Sequence, residues 1–243
     1  MPRSASSVAI VTGAANGIGL AVARSLIQSG WRVAALDLPG TGLARRFAHR
    51  RAATIEGDVA QGETAARAVA AALERFGRLD GVVSNAGISR NKPIRRLTLE
   101  EWHRVLDVNL TAAFLLARAA ETALHKSKGA MVLIASSRAL MSEANTEAYS
   151  ASKGGLVALT HALSISFAPD VRVNCVSPGW IRTQNYGELR KKDHAQHPAG
   201  RVGKPEDVAA MVQFLLDPER SGFITGANFL VDGGMTRKMI YVE

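Results

Sequence analysis

Tyr149 and Lys153 lie four residues apart in the run TEAYSASKGG, Thr146 to Gly155, and nearly everything around them is Ala, Ser or Gly. On a helix, positions i and i+4 share a face, so the phenol and the ammonium point the same way. A pair of this kind can move a proton. A free phenol has a pKa of about 10 and stays protonated at neutral pH, whereas an ammonium beside it favours the phenolate. Lowering a phenol pKa by roughly 3 units takes about 4 kcal/mol of differential stabilisation. A tuned acid/base is what interconversion of a carbinol and a ketone requires, because a proton must leave or join the oxygen. The same ten residues also describe an exposed helical turn with a partly buried tyrosine, so the rest of the chain has to decide.

A second candidate for chemistry is TGAANGIG, with Gly13, Gly17 and Gly19 and with Asn16 and Ile18 between them. It follows the apolar run VAIV and opens a helical pattern. Glycines there let backbone N–H groups and the positive end of a helix approach a pyrophosphate. Asp37, eighteen residues beyond Gly19, ends the second apolar run. A carboxylate at that place can accept from adenosine ribose hydroxyls and repel a 2′-phosphate. Leu38 rather than an arginine follows it, and the glycine loop holds Asn16 rather than a cation, which favours NAD over NADP. A solvent-facing turn residue is the other reading of Asp37. Asp58, with Val59 after it, ends a third run, where it suits either the adenine amino group or a helix cap.

These residues need a scaffold, and the order of elements supplies one. Seven short runs (SVAIVT, WRVAALD, AATIEGD, LDGVVSN, GAMVLIAS, VRVNCVS and NFLVDGG) alternate with Ala- and Leu-rich stretches. That pattern predicts an α/β fold with a parallel sheet and crossover helices. Gly30 and Gly77 stand where helices should be capped at their C-terminal ends. Thr98 and Glu101 form a capping-box pattern that should start one long helix running through VNLTAAFLLARAA.

The bulk properties narrow the class. The chain has 243 residues, 47% of them hydrophobic and 21% charged, with neither repeat nor linker-like tract, so we expect a single catalytic domain spanning 1–243. Cys175 is the only cysteine, which rules out an internal disulfide and a cysteine metal cluster; we expect no metal. The first apolar run is too short for a secretory core, and no run approaches the roughly 20 apolar residues of a membrane span, so a cytoplasmic protein without a membrane partner is expected. The net charge of +9 raises the question of nucleic acid, but the basic residues are scattered and no recognition motif accompanies them.

Taken in order, TGAANGIG, GDV, SNAG, VNL, IASS, YSASKGG, NCVSPGWIRT and GRVGKPEDVA with FLVDGG resemble the motifs of the short-chain dehydrogenase/reductase family, from Val8 to Gly234. The resemblance implies a doubly wound Rossmann-type fold with a seven-stranded parallel sheet and an NAD(H)-dependent alcohol dehydrogenase or carbonyl reductase. It makes Tyr149 the catalytic acid/base and Lys153 the residue that tunes it and bonds the nicotinamide ribose. Ser136, thirteen residues before Tyr149, would orient the substrate oxygen, with Ser137 as the rival. Asn109 would hold a water behind the lysine; a buried helix amide bonded to backbone is its other reading. By the same resemblance Asn85, Ala86 and Gly87 stabilise the sheet beside the adenosine, with Ser84 in place of the usual first asparagine. Pro178, Gly179, Ile181 and Thr183 would meet the nicotinamide.

The segment at about 184–200 would cover the substrate, a small alcohol or ketone. Its cluster Arg190, Lys191, Lys192, His194 and His197 either grips an anionic group or is a solvated loop. A homotetramer is expected, pairing through Ala112, Ala113, Ala117 and Ala120 of the long helix and through Ala151, Gly154, Gly155 and Ala158 near the tyrosine.

Overall fold

The computed structural model describes residues 7–183 and 187–239. Each of the seven runs becomes a strand: β1 Val8–Thr12, β2 Arg32–Asp37, β3 Ala52–Glu56, β4 Gly81–Ser84, β5 Ala130–Ile134, β6 Arg172–Pro178 and β7 Asn228–Val231. They form one all-parallel sheet in the order β3-β2-β1-β4-β5-β6-β7. The order reverses between β1 and β4, which opens a crevice at the carboxyl ends of those strands.

Alternation along the strands feeds two cores, because successive side chains leave opposite faces of a sheet. Val8, Ile10, Leu36, Met131, Leu133 and Cys175 meet one helical layer. It is built from α3 Gly62–Phe76, α5 Ala112–Ser127 and α6 Glu147–Ser166. Ala9, Val11, Ala35, Val132 and Val176 face the other layer. That layer holds α1 Gly17–Gln28 and α8 Pro205–Leu216, with the short α2 Leu43–Arg46 beside them. Both faces of the sheet are therefore covered, as a parallel sheet requires. Two further short helices, α7 Lys191–Ala195 and α9 Pro218–Ser221, flank α8 in the chain.

Gly30 and Gly77 have φ of +91° and +80° just past α1 and α3, as expected of glycines that end helices. Thr98 and Glu101 do form a capping box, which starts α4, Leu99–Leu106. The long helix that follows is not regular. Asp107–Thr111 adopts a widened π turn between α4 and α5, a feature that often marks functional sites.

One expectation about the pairing faces needs correction. Ala112, Ala113, Ala117 and Ala120 are buried in the chain's own core, so they cannot form an outward pairing face. Gly155 is partly exposed but closely packed: a Cβ there would stand 2.7 Å from the Leu110 side chain. In the α6 set, Ala151 and Ala158 are exposed and Gly154 and Gly155 are partly exposed. Of the expected lid, positions 184–186 lie outside the described residues. No helix among the described residues is long and apolar enough to cross a membrane.

Candidate active site

The crevice holds two adjoining cavities of about 970 and 260 Å³ that share Ile18, Asn85, Gly87, Ile88 and Thr183 as walls. The smaller is also bounded by Gly13, Asn16, Asp37, Leu38, Asp58, Val59 and Ala86. The larger is bounded by Ser136, Ser137, Tyr149, Lys153, Pro178, Gly179 and Ile181. The two groups chosen from sequence thus meet end to end in one groove. A further cavity of about 690 Å³ lies between α8 and β7, and none of the expected catalytic residues lines it.

Glycine is required in the loop after β1 for reasons of space. Gly13 has φ +65°, and a Cβ on it would lie 2.8 Å from Asn85 Nδ2 and 3.0 Å from Ala86 Cα. A Cβ on Gly19 would reach 2.1 Å from the Gly13 carbonyl oxygen. Gly17 and Gly19 do not line the two cavities; they let the turn close so that its backbone does. The first turn of α1 carries no acidic side chain, which leaves its positive end available to phosphate. This bare cradle fits a dinucleotide.

Thr12, which sequence reading passed over, ties β1 to the chain after β4. Its Oγ1 accepts from the N–H groups of Asn85 and Ala86 at 2.9 and 3.0 Å. Asn85 answers by donating from Nδ2 to the Thr12 carbonyl at 2.9 Å. A hydroxyl at the last residue of a strand, immediately before the glycine turn, was the available signal. Asp37 accepts from the N–H groups of Ala15 at 2.7 Å and Leu38 at 2.8 Å, so its carboxylate is fixed at the edge of the smaller cavity. Asp58 accepts from Ala60 N–H at 3.0 Å and from Arg104 at 2.8 Å. Burial opposes its charge, but the bonds from Arg104 and Ala60 outweigh that and hold the carboxyl below its ordinary pKa. Arg104 also lines the cavity, a cation that the sequence reading did not place there.

At the other end, Tyr149 and Lys153 share a face of α6, with the ammonium 5.5 Å from the phenol ring centroid. Lys153 is buried and donates to the Ile134 carbonyl at 2.8 Å. Desolvation lowers its pKa to about 8. Asn109 is the buried amide of the π turn. Its Oδ1 accepts from Ile88 N–H at 2.8 Å, and its Nδ2 donates to the Ile88 carbonyl at 3.0 Å and to Ser152 Oγ at 2.9 Å. The side chain therefore bonds both the Ile88 backbone and the Ser152 hydroxyl. Gly87 keeps the space between it and the lysine: a Cβ there would lie 3.3 Å from Asn109 Oδ1 and 3.4 Å from Lys153 Nζ.

Ser136 follows β5, and its Oγ accepts from Arg138 N–H at 3.2 Å. Both Ser136 and Ser137 line the larger cavity. Thr183 stands against the glycine turn, 3.2 Å from the place of a Gly17 Cβ. The basic cluster lies apart from the cavity wall. Arg190 is exposed and bonds Asp193, His197 is buried, and among the described residues of that segment only Gln196 reaches the cavity.

A family model described as enoyl-(acyl carrier protein) reductase matches residues 13–236. An uncharacterised oxidoreductase from Thermotoga maritima is 45% identical, over 97% of this chain and 98% of its own length. A 3-oxoacyl-[acyl-carrier-protein] reductase from Synechocystis is 34% identical, over 97% and 99%. The structure of an apo SCOR enzyme from Clostridium thermocellum superposes with a TM-score of 0.90 at 40% identity, covering 97% of this chain and 94% of that one. With these likenesses running the length of the chain, and with the glycine cradle and the tyrosine–lysine helix meeting in one crevice, the chain belongs to the short-chain dehydrogenase/reductase family of oxidoreductases.

Proposed function

We propose that the protein is an NAD(H)-dependent oxidoreductase, a single catalytic domain that interconverts a secondary alcohol and a ketone with Tyr149 as acid/base. The observation that carries this reading is the placement of Tyr149, Lys153 and Ser136 on the walls of one cavity continuous with the glycine cradle. The nicotinamide supplies the two-electron acceptor or donor. Gly13, Asn16, Asp37, Asp58, Val59, Asn85 and Ala86 would hold the adenosine half, and Pro178, Gly179, Ile181 and Thr183 the nicotinamide half.

The chain's own residues handle the proton and the substrate oxygen. In oxidation, the Tyr149 phenolate takes the hydroxyl proton as the carbinol becomes a carbonyl, and in reduction the phenol returns it. Lys153, buried and close to the ring, favours the phenolate by its charge. Ser136 donates a hydrogen bond to the substrate oxygen and fixes it within reach of the phenol. Asn109 acts as a positioning residue, clamping the Gly87–Ile88 backbone beside the lysine. NAD is favoured over NADP because Asp37 would face a 2′-phosphate and the nearby Arg104 is engaged by Asp58.

The same reading includes a homotetramer, supported by the exposed Ala151 and Ala158 and the partly exposed Gly154 and Gly155 on α6, small residues that permit close helix approach. Light scattering should return about four times the chain mass of 25.8 kDa; the mass of one chain would refute it. Activity is tested by following nicotinamide absorbance with secondary alcohols and ketones. Turnover with NAD(H) is the expected result, and cofactor binding without turnover on any alcohol or ketone would favour a regulatory protein on the same fold.

A further inference from the structure

We propose that the substrate is a neutral polyhydroxylated alcohol, a sugar or a polyol, gripped through neighbouring hydroxyls by Arg138 and Glu143. This rests on the oxidoreductase reading and names the substrate class for the same site.

Arg138 and Glu143 both line the larger cavity, and neither belongs to the tyrosine–lysine unit or the dinucleotide cradle. Arg138 Nη2 lies 2.5 Å from Glu143 Oε1. The arginine side chain is three-quarters buried while the carboxylate is exposed, so the pair presents a fixed guanidinium and an accessible acceptor. Its backbone is anchored close to the reacting oxygen, since Arg138 N–H donates to the Ser136 hydroxyl. Gln196 adds an amide with both donor and acceptor atoms to the same wall.

The chemistry of the pair sorts the substrate classes. An anionic substrate taking the remaining Arg138 donors would sit beside the Glu143 carboxylate, a like charge that disfavours it. The cations of the 190–197 cluster offer no relief, because Arg190 bonds Asp193 and the cluster's cations do not line the cavity. A bulky apolar substrate would strip water from an ion pair and return no hydrogen bonds, which is costly. Adjacent hydroxyls fit both groups at once: one donates to the acceptor-only carboxylate, and its neighbour accepts from the donor-only guanidinium.

The test compares kcat/KM for xylitol, ribitol and D-glucose with butan-2-ol, lactate and an acetoacetyl thioester, for the wild type and Glu143→Gln. A polyol or aldose should exceed the others by about 100-fold. Glu143→Gln should lower its kcat/KM by about 10-fold, the effect of one charge-assisted hydrogen bond, a larger loss than for butan-2-ol, and leave NADH affinity unchanged. A preference for lactate, the thioester or butan-2-ol, or an equal effect of the variant on every substrate, overturns the proposal and leaves the oxidoreductase reading standing. Quenching of Trp180, which lines the cavity, separates the two further. Polyol binding to Tyr149→Phe with cofactor, lost when Glu143→Gln is added, upholds the grip on the hydroxyls, whereas failure of the wild type to turn over any alcohol or ketone would sink the oxidoreductase reading. The absence of both polyol binding and polyol turnover overturns the proposal.

Discussion

Arg104 on α4 reaches Asp58 at the end of β3 across 2.8 Å, and both side chains line the smaller cavity. The pair joins elements 46 residues apart in the chain and fixes the carboxylate that should receive the adenine amino group. Arg104→Ala should free Asp58 and raise the Kd for NADH about five-fold, corresponding to about 1 kcal/mol for a partly exposed ion pair. Fluorescence titration reads this, and affinity for nicotinamide mononucleotide, which lacks the adenine, should not change.

Asp37 leads to a prediction about cofactor choice. With its carboxylate held by Ala15 and Leu38 N–H groups, NADH should bind at least about 10-fold more tightly than NADPH. Asp37→Ala should narrow the gap. Tighter binding of NADPH by the wild type would contradict the assignment.

Lys153 makes stability depend on pH. Its folded pKa of about 8 lies below the ordinary lysine value, so the folded state disfavours the proton that the unfolded chain keeps. Between about pH 8 and 10.5 the unfolded state binds more protons, and stability should rise with pH. Urea unfolding of the wild type and Lys153→Met should show their stability difference moving in favour of the wild type by up to about 3 kcal/mol over that window. A difference that stays flat would mean that the lysine is not desolvated in the folded enzyme.

The sheet was legible because each strand is a short β-branched run bounded by turn residues, and Gly30 and Gly77 mark their helix ends by a backbone demand that sequence displays directly. The π turn was not legible. It accompanies bonds from Asn109 to Ile88, twenty-one residues away, that no local pattern encodes. The alanines of α5 misled for a related reason: a small side chain suits close packing on the chain's own α3 as well as on another subunit, and periodicity does not say which. Arg104 and Arg138 could be read only as scattered basic residues until the fold brought Asp58 and Glu143 to them. Tyr149 and Lys153 could be paired early because positions i and i+4 share a helix face, whereas Ser136 was reached only through the resemblance to the family.

The central claim is that the Tyr149 hydroxyl carries the transferred proton. The most direct measurement is turnover of Tyr149→Phe beside its NADH affinity, since the substitution removes one oxygen from a half-buried ring. The variant should bind NADH with wild-type affinity and lose turnover by at least about a thousand-fold, in line with removal of a general acid/base group. A rate within a few-fold of the wild type would contradict the account.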